Sequence, residues 1–193
     1  MAVKMVAEAA LPTQHGKFRV FAFVDSQGKE HLALVRCEHG SHGAVPVRVH
    51  SRCLTGDTLT SLRCDCRSQL EASMEYLEDK KCGLLIYLDQ EGRGIGLANK
   101  IKAYALQDKG MDTVEANVHL GFKEDQRDFS VAAEIIRYFG MNDIALLTNN
   151  PKKIKDLERH GIRIAKRIPL ITKANEYNRD YLATKKKKMN HML

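Results

Sequence analysis

Three cysteines lie close together in the stretch HSRCLTGDTLTSLRCDC, residues 50–66 of this 193-residue chain. Cys53, Cys64 and Cys66 have the spacing C-x10-C-x-C, and no other cysteine or histidine follows at an obvious ligand spacing. Three thiolates bind zinc tightly, and a missing fourth protein ligand leaves a position for water, which zinc converts into a nucleophile. His50 is the competing fourth ligand. With it the site would be closed and structural, so the spacing leaves both hypotheses open.

The chain has five cysteines, and an odd count argues against a disulfide scaffold. The N-terminal stretch MAVKMVAEAALPTQ lacks the apolar core of a secretory signal, and no apolar run approaches the roughly 18 residues of a membrane span. We therefore expect a cytoplasmic protein without a membrane segment, in which metal binding explains a cysteine cluster better than disulfides do. Cys37 and Cys82 lie beside apolar runs, and we expect both to be small buried hydrophobic residues.

The formal net charge of +7 indicates an anionic partner, such as nucleic acid or a phosphorylated small molecule. Part of the excess is the run KKKK at 185–188, which we expect to be exposed and to say little about a site. A zinc-stabilised nucleic-acid-binding domain is therefore one hypothesis. It is the less favoured one, because no nucleic-acid-binding motif and no tryptophan are present.

Two segments could bind phosphate groups. In DQEGRGIGLANK, residues 89–100, a glycine-rich loop follows the apolar run GLLIYL, so backbone N–H groups and Arg93 could hold a phosphate. In TNNPKK, residues 148–153, Thr148 and Lys152 or Lys153 could bind a second one. Ligands of open α/β sheets lie beyond the carboxyl ends of strands, so the two segments support each other. A tight turn and a solvated helix face are the simpler alternatives.

A third segment, GFKEDQRDF at 121–129, crowds charged residues at the start of a predicted helix. One of its carboxylates could serve as a general base, although Asp128 more simply caps the helix. Tyr104 lies one position away from the apolar stripe of its own helix. It could therefore belong to the core or reach into the site.

Hydrophobic periodicity predicts the elements that must position these residues. Predicted strands cover 17–24, 31–36, 45–50, 83–88, 143–147 and 162–168, and predicted helices cover 68–80, 96–109, 129–139 and 151–160. Ser68 and Glu71 have the spacing of a capping box for the first helix. The alternation of strands and helices predicts an α/β fold, a layered sandwich with a mixed, partly parallel sheet. We expect one domain, with a strand-rich portion (1–50), a zinc and α/β part (51–175) and a basic tail (176–193).

Seven motifs in a consistent order resemble the GTP cyclohydrolase II family, and the resemblance as a whole covers roughly residues 5–190, nearly the whole chain. They are HS-x-CLTGD (50–57), SLRCDC (61–66), QEGRGIGL (90–97), YALQDKG (104–110), DTVEAN (112–117), LGF-x-x-D-x-RDF (120–129) and LLTNNPKK (146–153). The resemblance implies hydrolysis of GTP with release of formate from C8 and of pyrophosphate. The product would be 2,5-diamino-6-(5-phosphoribosylamino)pyrimidin-4(3H)-one, the first intermediate of riboflavin biosynthesis. It also implies one zinc on the three cysteines, Mg²⁺ with the triphosphate, and a homodimer.

The resemblance also assigns roles to individual positions. The implied GTP contacts are Arg48, Val49, His50, Ser51, Gln69, Glu91, Gly92, Arg93, Thr113, Thr148 and Lys153. The family's proton acceptor falls on Asp125 and its nucleophile on Arg127, and Tyr104 matches a tyrosine implicated in the ring chemistry. A guanidinium stays protonated in proteins, so stabilisation of charge on the α-phosphate is the physical alternative for Arg127.

Three positions depart from the family pattern. Arg52, Arg67 and Asp89 stand where the family usually has Glu, Gly and Arg. Arg52 and Asp89 invert the usual signs, so we predict that they form a swapped ion pair. Arg67 would strain the backbone if its position required a positive φ. A family member that binds GTP without turning it over, with a structural zinc, is the remaining alternative.

Overall fold

The computed structural model describes residues 3–37, 43–141 and 143–192. The strands are β1 Lys4–Thr13, β2 Gly16–Val24, β3 Glu30–Cys37, β4 Val45–Ser51, β5 Cys82–Leu88, β6 Asp143–Leu147 and β7 Arg163–Ile168. The α-helices are α1 Cys66–Asp79, α2 Leu97–Gln107, α3 Thr113–His119, α4 Ser130–Tyr138, α5 Pro151–Arg159 and α6 Arg179–Lys188. A π-helical turn, Leu54–Thr58, and a 3₁₀ turn, Glu91–Gly94, complete the regular structure of this part of the chain.

All seven of these strands form one mixed sheet in the order β1-β2-β3-β5-β4-β6-β7. The pairs β1–β2, β2–β3 and β3–β5 are antiparallel, whereas β4–β5, β4–β6 and β6–β7 are parallel. The strand-rich N-terminal portion is therefore an antiparallel extension of the parallel part. This topology confirms the predicted α/β class with a mixed, partly parallel sheet.

Helices cover both faces of the sheet, because its central strand is apolar on both sides. In β5, Leu84 and Ile86 are buried in the cluster that contains Ile135 of α4, whereas Leu85 is buried with Leu77 of α1 on the other face. Successive residues of a strand point to opposite faces, so a continuous apolar run fits a strand buried on both sides. Full burial of each such side chain stabilises the fold by roughly 1.5–3 kcal/mol.

Every strand and helix predicted from periodicity is present, with ends shifted by no more than two residues. Three elements were not predicted, namely β1, α3 and α6. β1 has the composition of a helix, with three alanines in KMVAEAALPT, and forms a strand because it pairs with β2 at the sheet edge. α3 carries a true capping box between Asp112 and Glu115, a signal that could have revealed it.

Two local predictions were wrong. The helix expected to start at the Ser68–Glu71 capping box begins earlier, at Cys66, with Asp65 as its N-cap residue. Cys82 is buried as expected, but Cys37, its neighbour across strands β3 and β5, is exposed because it lies at the end of its strand.

Three parallel, adjacent strands end at the same edge of the sheet. Residues that follow the ends of β4, β5 and β6 are Cys53, Glu91 and Thr148, one from each functional segment of the sequence. The carboxyl ends of parallel strands are the usual ligand site of α/β sheets. None of the helices in the described ranges is long and apolar enough to cross a membrane.

Candidate active site

The three cysteines form a compact cluster at this edge. The Sγ atoms of Cys53, Cys64 and Cys66 all lie within 4.8 Å of one another, and those of Cys53 and Cys64 are 3.7 Å apart. Two sulfurs on a tetrahedral zinc, at Zn–S distances near 2.3 Å, would lie about 3.8 Å apart, so the donors fit this ion. Gly56 leaves the necessary room, because a Cβ there would lie 2.8 Å from the Cys64 sulfur.

His50 is not the fourth ligand within the described structure. Its Nε2 atom lies 3.1 Å from the Asp57 carboxylate, and burial lowers the pKa of the ring although Asp57 opposes this effect. Asp57 also accepts hydrogen bonds from the Cys53 backbone N–H at 3.0 Å and from the Tyr87 hydroxyl at 2.8 Å. This carboxylate therefore fixes the turn that carries Cys53, and the metal site keeps three protein donors.

Lys100 is a neighbour of the metal site that the sequence analysis missed. Its Nζ donates to the Cys53 sulfur at 3.1 Å and to Glu91 Oε1 at 2.8 Å, while Glu91 Oε2 accepts from the Leu54 N–H at 2.6 Å. Burial lowers the pKa of Lys100, but the hydrogen bond to Glu91 and the charge of Cys53 outweigh it and raise the pKa overall. A charged ammonium group thus lies against a thiolate ligand.

The glycine-rich loop places Arg93 in an unusual backbone conformation. Gly92 and Arg93 have φ angles of 63° and 61°, in the left-handed region, which costs a non-glycine residue roughly 1–3 kcal/mol. Both terminal nitrogens of Arg93 are buried without a hydrogen-bond partner among the described residues. Buried donors are rarely left unpaired, so this guanidinium is suited to an anionic ligand.

Arg48 connects the end of β6 to α1, the helix that begins at Cys66. Its terminal nitrogens donate to the Leu147 carbonyl at 3.1 Å and to Gln69 Oε1 at 2.7 Å. Gln69 in turn donates to the Asp65 carboxylate at 2.5 Å, and Asp65 lies between two of the cysteine ligands in the sequence. Gln69 is therefore held by its neighbours on both sides.

Asp125 and Arg127 form a bidentate ion pair, with N···O distances of 2.9 and 2.6 Å. Burial alone would raise the pKa of Asp125, but the Arg127 guanidinium lowers it to about 2. Burial likewise opposes the charge of Arg127, but Asp125 raises its pKa overall. Both side chains are thus ionised near neutral pH. An effective general base has a pKa near the working pH, which the paired Asp125 does not have.

The TNNPKK segment buries one lysine and half-exposes the other. Asn150 caps α5 by accepting the Lys152 N–H at 2.9 Å. Lys153 is only 4% exposed and donates to the Val49 carbonyl at 2.6 Å, so the solvated helix face is wrong for this residue. Burial and the charge of Arg48 lower the pKa of Lys153.

One pocket collects most of the predicted site. Besides the three cysteines, the predicted residues that line it are Arg48, His50, Ser51, Gln69, Glu91, Gly92, Arg93, Tyr104, Thr113, Arg127, Thr148 and Lys153. The Val49 side chain packs in the core, and Asp125 reaches the pocket only through its ion pair with Arg127. Residues of the wall that the sequence analysis missed include Asn117, Asn149, Lys100, Tyr181, Lys185 and His191.

Tyr104 belongs to the site rather than to the core. Its hydroxyl lies 3.4 Å from Thr55 Oγ1, in the turn that follows Cys53, and the Arg63 guanidinium lies 4.7 Å from the centre of its ring. Burial raises the pKa of the phenol.

The departures from the family pattern are accommodated. Arg52 and Asp89 form the predicted swapped ion pair, with Nη1 and Oδ1 3.0 Å apart. Arg67 lies in α1 with a helical backbone, so a positive φ is not required, and it pairs with Glu71 at 2.8 Å.

Fold and site together define an α/β protein in which a three-cysteine metal site adjoins a cationic pocket at the carboxyl ends of parallel strands. The family model described as GTP cyclohydrolase II matches residues 4–169. A GTP cyclohydrolase-2 of Picrophilus torridus is 47% identical over 190 residues, covering 98% of this chain and 99% of the relative. One of Escherichia coli O9:H4 is 52% identical over 194 residues, covering 100% and 99%. The chain belongs to the GTP cyclohydrolase II family.

Among solved structures, a two-domain 3,4-dihydroxy-2-butanone 4-phosphate synthase from A. baumannii aligns with 89% of this chain and 40% of its own. The TM-score is 0.49 at 20% identity. This similarity is too weak to inform the site.

Proposed function

We propose that this chain hydrolyses GTP at the guanine imidazole ring and releases formate and pyrophosphate. The product is 2,5-diamino-6-(5-phosphoribosylamino)pyrimidin-4(3H)-one, which places the reaction first in riboflavin biosynthesis. The observation that carries the proposal is the position of the three-cysteine cluster in the wall of a pocket that also holds Arg93 and Arg127. A metal-activated water and a polyanion site are thereby brought together.

Cys53, Cys64 and Cys66 would hold the zinc that this reaction requires. When bound, the ion supplies a water of lowered pKa for attack at C8 of the guanine. The surrounding chain holds the donors in place, since Asp57 fixes the Cys53 backbone and Lys100 donates to the Cys53 sulfur. Partners of this kind orient metal ligands and tune the metal.

Cationic side chains bind the triphosphate. Arg93 contributes two unpaired buried nitrogens, and Arg127 and Lys153 lie in the same pocket. Mg²⁺ accompanies the triphosphate, as is usual where phosphate groups react. Electrostatic stabilisation and positioning of this sort account for most of the catalysis of phosphoryl transfer.

Arg127 stabilises charge at the α-phosphate, because its ionised state disfavours a role as nucleophile. Asp125 orients Arg127 through the bidentate pair. For Asp125 to accept a proton, Arg127 must first shift its hydrogen bonds towards the substrate. Gln69, held between Arg48 and Asp65, and Glu91 order the guanine side of the site.

The proposal extends to a single-domain, cytoplasmic homodimer. Light scattering of the purified chain would test the assembly, and a monomeric mass would contradict it.

Formate and pyrophosphate, measured together from the zinc-loaded protein with GTP and Mg²⁺, test the proposal. We expect equal amounts of both. The variant C64A removes a proposed ligand and should abolish formate release, whereas C37A removes an exposed cysteine outside the cluster and should retain it. Bound GTP with neither product would identify a pseudoenzyme with a structural metal.

A further inference from the structure

The C-terminal segment, defined here as residues 179–192, comprises α6 and the four residues that follow it. It lies beyond the residues matched by the family model, which end at 169. The run of four lysines was expected to be exposed and to say little about a site. Lys186 and Lys187 are indeed exposed, but Lys185 is only 8% exposed.

Lys185 forms a buried ion pair with the segment that carries Cys64 and Cys66. Its Nζ donates to Asp65 Oδ1 at 2.6 Å, and Asp65, only 2% exposed, lies between Cys64 and Cys66. The other carboxylate oxygen of Asp65 accepts from Gln69. Removing one partner of a buried ion pair is strongly destabilising, because it leaves an uncompensated buried charge. Lys185 is therefore an integral part of this network.

Further contacts fix the segment to other parts of the pocket rim. Lys188 donates to Glu115 Oε1 at 3.0 Å, at the start of α3. The Met192 backbone N–H donates to the Asn149 carbonyl at 2.9 Å, beyond β6. The segment thus crosses the pocket between two of its rims.

The inner face of the segment carries polar groups into the pocket. Tyr181, Lys185, Met189 and His191 line the same pocket as the cysteine cluster. The Arg93 guanidinium lies 5.9 Å from the centre of the Tyr181 ring, and His191 Nε2 is buried without a hydrogen-bond partner in the described structure. Cationic and unpaired donor groups of this segment therefore join those of the glycine-rich loop.

We propose that the C-terminal segment is the closing wall of the nucleotide site and that Lys185 anchors it, so that nucleotide binding depends on Lys185. This inference rests on the proposed function, because it takes GTP as the ligand. A wall of this kind adds a cation to the polyanion pocket. It also excludes water from the reacting groups, which strengthens electrostatic interactions inside the site.

The test compares the variants K185M and K186M in the full-length, zinc-loaded chain. Calorimetry gives the Kd of the GTP analogue GMPCPP, and trypsin, which cleaves after the remaining lysines, reports whether the analogue protects the segment. K185M removes the hydrogen bond from Lys185 to the charged Asp65, which anchors the segment. Binding of the analogue should therefore weaken by about tenfold to a hundredfold, and the analogue should no longer protect the segment from trypsin. K186M removes the same charge from the exposed face and should match the wild type in both readouts.

Equal Kd values for K185M and K186M would overturn the inference, and so would tighter binding by K185M, which would mark the segment as a plug. Thermal unfolding and zinc content show whether K185M is folded. If it is not, K188M decides, because it removes a half-exposed anchor of the same segment outside the pocket lining. K188M should then weaken binding, and an unchanged Kd would overturn the inference. If the wild type binds GMPCPP but releases no formate from GTP, the proposed function is contradicted. The inference about the segment is then still decided by the Kd values of the variants.

Discussion

At the scale of single residues, Lys100 contacts one of the proposed metal ligands directly. Its ammonium group contacts both the Cys53 sulfur and Glu91, so the variant K100M removes a charge-assisted hydrogen bond from a thiolate. We expect the zinc affinity to fall by about tenfold or more, as for other partners of metal ligands. Competition with a chromogenic chelator measures this affinity. K102M, an exposed lysine of the same helix, is the control, and equal affinities of the two variants would contradict the assigned role.

The Asp125–Arg127 ion pair should make the free energy of unfolding depend on pH in the acid range. The pKa of Asp125 is about 2 in the folded protein, against 3.8 ordinarily, so the pair stabilises the fold fully above pH 3.8. This contribution, about 2 kcal/mol, is lost as the pH falls towards 2. Urea unfolding should be measured at several values between about pH 5 and about pH 2. Over this range D125N should lose less unfolding free energy than the wild type, because it has no carboxylate to protonate at this position.

The control for this measurement is D128N, which removes an exposed carboxylate from the same segment. We expect D128N to keep the wild-type pH profile. A D125N profile parallel to that of the wild type would show that Asp125 does not contribute a depressed pKa to folding.

The π-helical turn between β4 and α1 determines, at the scale of elements, whether the cysteine donors can meet. A Cβ at Gly56 would lie 2.8 Å from the Cys64 sulfur and 3.2 Å from the Cys53 sulfur, so G56A should displace the donors and lower the zinc content. G28A is the matched control, because Gly28 has a φ of 76° but no neighbouring atom within 4 Å. Both variants should be less stable, and only G56A should lose zinc in metal analysis. Full zinc occupancy in G56A would contradict the packing argument.

Element prediction succeeded where side-chain burial repeats with the period of the backbone. The central strand β5 is continuously apolar, and α5 has Asn150 and Pro151 at its start, so both elements can be predicted from the local sequence. β1 cannot be predicted from its local sequence, because its conformation depends on pairing with β2. α6 is rich in lysine and lacks an apolar stripe, so its position depends on distant ion pairs.

The same distinction separates the site residues that could be predicted from those that could not. The cysteine cluster is recognisable because its members are close in sequence and chemically distinctive. Lys100 and Lys185 resemble surface lysines until their partners are known, and those partners, Cys53 and Asp65, lie 47 and 120 residues away. No local pattern encodes such contacts.

For the whole molecule, the net charge of +7 has a meaning that composition alone does not give. Several basic side chains, Arg48, Lys153 and Lys185, are buried around one pocket that Arg127 also lines, rather than spread over an exposed face. Asp125 and Asp65 pair with Arg127 and Lys185, whereas the terminal nitrogens of Arg93 in the same pocket have no partner among the described residues, so the pocket is suited to a polyanion. This arrangement favours a nucleotide over an extended nucleic acid.

For the molecule as a whole, our proposal is zinc-dependent hydrolysis of GTP at the three-cysteine site. It is tested most directly by adding zinc in steps to the metal-free protein and measuring formate and pyrophosphate release from GTP and Mg²⁺ at each step. Both products should rise together and stop rising at one zinc per chain. Formate release that does not depend on zinc, or none at one bound zinc per chain while GTP is bound, would contradict it.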